Sequence, residues 1–333
     1  MTAAGTAFTK WYQPTEFALS SSVSSATMRC KPLRVSCALL LGMLTAHLLH
    51  SALNFGRNSS CVRTPSWTWR NNPVPNRKAK ILCYVNTYGA NFERKAIHVQ
   101  NTWARRCDKY FFTSTTPHPN LSVLLLNMSL PEVRSHLWVK MRNILRRLYH
   151  YIDDYDYFFK ADDDTYAVVE NLRALLRHHS PDDPFMMGYR WNVLCHGGFF
   201  SGGAGYLLSR ESLRRLVERA IDKHPSCPTR DEDQEDVKIS YCAKLVGVKL
   251  LDAFGETGQS VFHPYNPTMH FNVSHRTGLL SAAHVYEPEN PFLRRATMEF
   301  SARHISFHYV EKTLMYLIEY VIYYIHPFAP RNA

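Results

Sequence analysis

Tyr155-Asp156-Tyr157-Phe158-Phe159 runs through Lys160 into Ala161-Asp162-Asp163-Asp164-Thr165, an aromatic stretch followed by three consecutive carboxylates. The aromatic run predicts a strand, and the acids then stand at its tip, where a divalent cation can neutralise them. Strand residues alternate in direction, so Asp162 and Asp164 are expected on one side and Asp163 on the other. Hard oxygen ligands of this kind suit magnesium or manganese, ions that commonly hold phosphates. The competing reading is a solvated acidic turn, or an N-cap for the helix predicted by Val169, Leu172 and Leu176.

Immediately upstream, Leu137, Met141, Ile144, Leu145, Leu148 and Ile152 recur at helical spacing and lead into the acidic strand. Further back, Ile81-Leu82-Cys83-Tyr84-Val85, Tyr110-Phe111-Phe112 and Val123-Leu124-Leu125-Leu126 read as strands, with a helical segment carrying Ala96, Ile97 and Trp103 between the first two. Strands alternating with helices imply a mostly parallel sheet covered on both faces, which binds ligands at the carboxyl ends of its strands. The acidic triplet stands at such an end.

Downstream, the glycines of Gly197-Gly198-Phe199-Phe200-Ser201-Gly202-Gly203-Ala204-Gly205-Tyr206 either admit a ligand close to the backbone or make a tight turn. The pattern lacks the Lys-Ser/Thr of a phosphate loop and does not fit the dinucleotide fingerprint. Ser209 is placed to open a helix with Leu213, Leu216, Val217 and Ala220 on one face. Asp231-Glu232-Asp233-Gln234-Glu235-Asp236 is a dense acidic run, a composition that ordinarily marks a solvated loop. Ile305-Ser306-Phe307-His308-Tyr309-Val310 reads as a strand whose lone histidine is ordinarily a core residue. Leu314, Leu317, Ile318, Val321 and Ile325 give a last amphipathic helix.

With 333 residues, 45% of them hydrophobic, the chain is long and apolar enough for one large core or two modest ones. The formal charge of +11 is spread along the chain, and no zinc-finger, ribonucleoprotein or basic-zipper signature accompanies it, so nucleic acid is not expected as a partner. Residues 35–55 form an apolar run of roughly bilayer-spanning length, with Arg29, Lys31 and Arg34 just before it. The positive-inside rule then gives a single-pass type II anchor, with residues 1–34 cytosolic and everything after residue 55 on the far side. A signal peptide fits less well, because the run is long, starts deep in the chain and has no clear small-residue cleavage site; a buried amphipathic helix is the other alternative, since His47 and His50 interrupt the run. Sequons at Asn58, Asn120, Asn127 and Asn272 all follow the run, as N-glycosylation in a lumen requires. Cys61, Cys83, Cys107, Cys195, Cys227 and Cys242 also follow it, an even set free to pair where conditions oxidise. Residues 56–79, rich in Pro, Asn, Ser and Arg, read as a stem ahead of a globular part at 80–333.

Several of these pieces occur in one order: the anchor, Trp103-Ala104-Arg105-Arg106-Cys107, Phe159-Lys160-Ala161-Asp162-Asp163-Asp164-Thr165-Tyr166, Ser201-Gly202-Gly203-Ala204-Gly205-Tyr206, Glu235-Asp236, Phe262-His263-Pro264 and Ser306-Phe307-His308-Tyr309-Val310. As an ordered set they resemble the core 1 β1,3-galactosyltransferases, Golgi enzymes related to Fringe and other inverting β1,3-glycosyltransferases. The resemblance covers residues 80–327 and implies a GT-A fold, a Rossmann-like α/β nucleotide-sugar-binding domain behind an N-terminal transmembrane helix. It implies a manganese site of Asp162, Asp164 and His308, with Asp163 on the donor sugar or ribose. Gly202, Gly203 and Glu235 would form the loop against the sugars. Trp138 and Lys140 resemble a Trp-x-Lys element on the donor side, where Lys140 would pair with a phosphate. Cys83 with Cys107, and Cys227 with Cys242, match cysteine positions of the family and are its implied disulfides, which leaves Cys61 and Cys195 for each other or for a partner. The implied setting is the Golgi membrane, with the catalytic part luminal and homodimerisation a family trait.

The implied reaction is transfer of galactose from UDP-galactose to the 3-hydroxyl of N-acetylgalactosamine on Ser or Thr of a glycoprotein. Inversion needs a base for the acceptor proton and a cation for the leaving diphosphate, and Asp236, from the Glu-Asp pair, matches the base. Two departures stand out. Val237-Lys238-Ile239-Ser240 replaces a small apolar stretch after the acidic pair, and Tyr286-Glu287-Pro288-Glu289-Asn290-Pro291-Phe292 replaces a cysteine-bearing aromatic loop before His308. These leave open a related enzyme with a different donor or acceptor. A non-catalytic chaperone-like relative is the further alternative, and such a protein is expected to have lost the acidic triplet.

Overall fold

Ile81, Leu82, Cys83, Tyr84 and Val85 have no polar side to turn toward water, and all five are at 0% exposure. A strand covered on both faces belongs in the middle of a sheet with layers above and below it. That is its place in the computed structural model, which describes residues 78–192, 194–255, 259–271 and 301–325. These residues belong to one of two compact units, Arg63–Ala333; the other, Met1–Val62, lies outside the described residues.

The strands are β1 (Ile81–Asn86), β2 (Lys109–Ser114), β3 (Val123–Leu125), β4 (Tyr157–Asp162), β5 (Tyr166–Ala167) and β6 (Phe185–Gly188). They continue as β7 (Arg190–Trp191), β8 (Phe199–Phe200), β9 (Tyr206–Ser209), β10 (Lys249–Asp252), β11 (Phe262–His263) and β12 (Ser306–Phe307). The α-helices are α1 (Ile97–Asn101), α2 (Leu137–Tyr149), α3 (Val169–Leu176), α4 (Arg210–Arg215), α5 (Glu235–Leu245), α6 (Pro267–Phe271) and α7 (Lys312–Tyr323).

Seven strands form the main sheet in the order β10-β6-β9-β4-β1-β2-β3. Every pairing is parallel except those of β9, which runs against both β4 and β6. The mostly parallel α/β sheet expected from the sequence is therefore present, as a mixed sheet with one reversed strand. Alternate residues of β1 feed two separate cores. Ile81, Cys83 and Val85 pack with Trp103, Phe159 and the Leu172 face of α3, while Leu82 and Tyr84 pack with Phe158 and the Met141-Ile144-Leu145-Leu148 stripe of α2. At about 25 cal/mol per Å² of apolar surface, these paired cores supply the bulk of the stabilisation.

Ser209 caps α4 by accepting from the Ser212 backbone N–H, as its position before the apolar periodicity predicts. Helix α2 ends at Tyr149, short of Ile152, which is buried in the turn that follows. The expected strand at 305–310 shrinks to β12, because Tyr309 adopts a positive φ of 54° that no strand can continue through. A second sheet, in the order β11-β12-β5, then joins the chain's far end to the residues just after the acidic triplet.

Cys83 bonds to Cys107 and Cys227 to Cys242, while Cys195 carries a free thiol. Cys61, the sequons Asn58 and Asn272, the apolar run 35–55 and the loop 286–292 lie outside the described residues. Among the described residues no helix is long and apolar enough to cross a membrane.

The Cys83–Cys107 bridge closes a sequence separation of 24 and is buried at both ends, so it restricts the unfolded chain more than it shapes the folded one. Replacing both cysteines with serine is expected to lower the unfolding free energy by about 3 kcal/mol, read by urea titration, with a steeper slope because the unfolded chain without the bridge exposes more surface.

Candidate active site

β4 and β1 end side by side, with Asn86 in register with Asp162. The strand stops there, and the chain turns at once, closed by Thr165 N–H donating to the Asp162 carbonyl at 3.1 Å. The alternation expected for the acids is thus not a strand alternation: Asp163 and Asp164 sit in a turn, and the turn is what separates them. Asp163 points inward at 6% exposure and accepts from Thr87 Oγ1 and Asn91 Nδ2, each at 2.8 Å. Asp162 pairs with Lys160 at 2.7 Å, and Asp164 with Lys95 at 2.8 Å.

His308 comes to the acids from the other end of the chain. β12 pairs antiparallel with β5, and Val310 N–H donates to the Asp164 carbonyl at 2.8 Å, so the residue between them is set down on the acidic turn. His308 Nε2 lies 3.2 Å from Asp164 Oδ1. One donor atom each from Asp162, Asp164 and His308 fall within 4.8 Å of one another, the close convergence a single cation needs. The backbone at Gly203 touches the imidazole so closely that a Cβ there would overlap the ring. Gly202 is similarly hemmed in, because a Cβ would stand 2.6 Å from Glu235 Oε1.

The acidic run is not a uniformly solvated loop. Its last two residues open α5, and Glu235 is 5% exposed, accepting from the Tyr206 hydroxyl at 3.0 Å and paired with Lys160 at 3.2 Å. Burial raises the Glu235 carboxyl to about 7, with Lys160 pulling it down and Asp236 and Asp162 pushing it further up. Asp236 is only partly covered and accepts from Gly202 N–H at 3.0 Å and Val237 N–H at 2.9 Å. Burial raises it too, against the lowering by those N–H groups and Lys160. Asp164 goes the other way. Burial would raise it, but the hydrogen bond and charge of His308, with Lys95 behind, hold it well below the usual carboxylate range. Asp163 is pushed up by burial, with Lys95 opposing.

Two donor-side expectations need correction. Trp138 is at 0% exposure in the core beneath the sheet, its indole N–H donating to Pro228 O at 2.7 Å, so it offers no face to a ligand. Lys140 is 5% exposed and already neutralised by Glu132 at 2.8 Å, with a further hydrogen bond to the Thr87 carbonyl. Its ammonium steadies the end of β1 instead of standing open to a phosphate. The residues that sequence reasoning missed are the cations Lys95 and Lys160 and the hydrogen-bond donors Thr87 and Asn91. Lys160 carried a signal, since a lysine two positions before Asp162 in a strand shares its face.

Residues 77–265 match the Fringe-like family. The chain is 34% identical over 257 residues to glycoprotein-N-acetylgalactosamine 3-beta-galactosyltransferase 1 of Xenopus laevis, covering 75% of this chain and 68% of the frog protein. The chain belongs to the Fringe-like family. Within it, the frog relative puts the chain among the core 1 β1,3-galactosyltransferases, and it is a glycosyltransferase. Human chondroitin sulfate synthase 3 is 26% identical over 272 residues, which is 71% of this chain but only 30% of the human one. Among solved structures, the galactosyltransferase LgtC in complex with donor and acceptor sugar analogs superposes with a TM-score of 0.39 at 13% identity, over 69% of this chain and 86% of that one. At that score the likeness is loose, and the fold of this Fringe-like protein is read from its own strands.

In this glycosyltransferase the raised Glu235 carboxyl links stability to pH. Its native pKa of about 7 stands above the ordinary 4.5, so the native state holds a proton that the unfolded chain releases first. Its contribution to stability is fully present below the lower value and is lost as pH rises through the upper one. Glu235→Gln is therefore expected to gain melting temperature relative to the parent between about pH 5 and about pH 8. An equal offset at both values would contradict it.

Proposed function

We propose that this chain is a metal-dependent, inverting GT-A glycosyltransferase that moves galactose from UDP-galactose to the 3-hydroxyl of N-acetylgalactosamine on Ser or Thr of glycoproteins. The observation that carries the reading is the convergence of Asp162, Asp164 and His308 at the carboxyl end of β4, beside the Glu235-Asp236 pair. The similarity to the frog enzyme supports the donor and acceptor.

The donor set fits a divalent cation such as manganese: two carboxylates, one of them held ionised, and an imidazole with room made for it by Gly203. Bound there, the cation would supply positive charge to the departing diphosphate. Lys95 and Lys160 add fixed positive charge around the same acids. Asp163, fixed by Thr87 and Asn91, is assigned to the donor's ribose or sugar. Asp236 is the base. Two backbone N–H groups hold its carboxylate in place, and burial makes it a stronger proton acceptor than an exposed aspartate. Glu235 sits behind it on Lys160 and Tyr206, which fixes the start of α5. Gly202 and Gly203 are assigned to the loop beside the sugars, where their missing side chains make room for Glu235 and His308.

The sequence supports the rest of the assignment: a cytosolic tail at 1–34, a signal anchor at 35–55, a luminal stem at 56–79, a catalytic domain at 80–333, and residence in the Golgi membrane, with homodimerisation open to test. Asn120 and Asn127, both exposed, are the described sequons where luminal glycans would attach, together with Asn58 and Asn272. The two disulfides are in keeping with an oxidising lumen.

The test is a panel of UDP-sugars with manganese and an N-acetylgalactosamine-Thr peptide. Transfer of galactose, lost with chelator and with Asp164→Ala, is expected; transfer of another sugar, or none, would sink the donor assignment. Asp236→Asn is expected to cut turnover by ~10²–10⁴-fold while UDP binding persists. Near-normal turnover in that variant would remove Asp236 from the base role.

A further inference from the structure

Helix α7 begins four positions after His308 and packs Leu314, Met315 and Ile318 against the core. Its buried residues are Met315 and Glu319, while Leu317, Tyr320, Val321 and Ile322 face outward. A buried glutamate on such a helix calls for an account, because an unpaired carboxylate there would be expelled. Glu319 is paired fully. Arg106 grips both its oxygens, Nη2 to Oε1 at 2.5 Å and Nη1 to Oε2 at 3.0 Å, and the Tyr166 hydroxyl donates to Oε2 at 2.8 Å. The guanidinium also lies 3.6 Å over the Tyr323 ring, one turn further along the same helix.

Each partner of Glu319 leads back to the acids. Tyr166 lies two residues beyond Asp164 in β5, directly paired with Phe307 of β12, the residue before His308. Arg106 follows Trp103, whose indole N–H donates to the Thr165 carbonyl at 2.8 Å inside the same turn. We propose that the Glu319–Arg106–Tyr166 knot is a positioning device for the third metal ligand, tying the C-terminal helix to the strand that leaves the acidic turn and so holding His308 over Asp162 and Asp164. The inference rests on the metal reading proposed above. Glu319 touches neither substrate nor metal ligand; it acts through His308.

The experiment is a titration of manganese(II) into the purified full chain with UDP present, followed by the free-ion signal in electron paramagnetic resonance. Glu319→Gln keeps size and one hydrogen-bonding oxygen but loses the charge, and it is expected to weaken manganese binding by about 10-fold or more. In a His308→Ala background the same change is expected to weaken it by less than about twofold, since the ligand being positioned is gone. Unchanged manganese affinity in Glu319→Gln would overturn the inference, and so would a full further loss in the His308→Ala background, which marks general loosening. Should Glu319→Gln fail to fold, Tyr166→Phe removes one donor and carries the same comparison, with the same two outcomes deciding it. If Asp164→Ala binds manganese as well as the parent does, the metal reading falls and takes this inference with it. A silent Glu319→Gln beside a weakened Asp164→Ala overturns the inference alone.

Discussion

Lys160 lies at 1% exposure with its ammonium 2.7 Å from Asp162 and 3.2 Å from Glu235, and it donates to the Gly202 carbonyl at 2.9 Å. Those three contacts come from the end of β4, the start of α5 and the glycine turn before β9. Without a central cation, the carboxylates of Asp162, Glu235 and Asp236 would repel one another in a poorly hydrated place. Burial disfavours the charge on Lys160, but Asp162 and Glu235 reverse that and hold the ammonium more firmly protonated than usual. A buried ion pair of this kind is weak evidence for net stability, since apolar residues of similar volume can pack as well. Its consequence is arrangement. Breaking it leaves an uncompensated buried charge, typically worth ~3–5 kcal/mol, so the acids keep this placement or the region does not form.

The legible parts of the fold were those written in local apolar pattern. β1 was visible as an unbroken apolar run, α2 as a stripe at helical spacing, and the start of α4 as a serine ahead of its apolar face. The acidic tip of β4 was visible too, although its geometry was not. A turn closed by Thr165, which the strand pattern does not encode, separates Asp163 from its neighbours. Glu235 was illegible for a different reason. A run of acids looks solvated unless its distant counter-charge is known, and here that charge is Lys160, buried in an aromatic strand far away in the chain. Trp138 and Lys140 show the converse error: an aromatic and a cation close together in sequence suggested a ligand, and packing against Pro228 and Glu132 had already used both.

His308 depended on resemblance alone. A lone histidine in an apolar stretch is usually core, and nothing local distinguishes it. What makes it available is the small sheet β11-β12-β5, in which residues from the chain's end pair with those just past the acidic turn, and the positive φ at Tyr309 that stops β12 immediately afterwards. Gly203 completes the fit from a third segment, by having no side chain where the imidazole lies. The proposed ligand set is thus non-local in the strict sense: its geometry exists only after the chain has closed on itself.

That closure gives the two halves of the site unequal standing. Asp162 stands on β4, which is paired on both sides within the main sheet and rooted in both cores. His308 follows a two-residue strand and precedes a helix that fully buries Met315 and Glu319, with Leu314 and Ile318 half-buried against the core. Segments with few buried apolar contacts open at lower free energy than core strands, so the C-terminal part is the one expected to loosen first. A ligand that needs both halves binds only the closed arrangement and stabilises it by mass action. On the metal reading proposed above, occupancy of the acidic turn and order at the chain's far end are one equilibrium, and a residue such as Glu319 affects it without touching the cation.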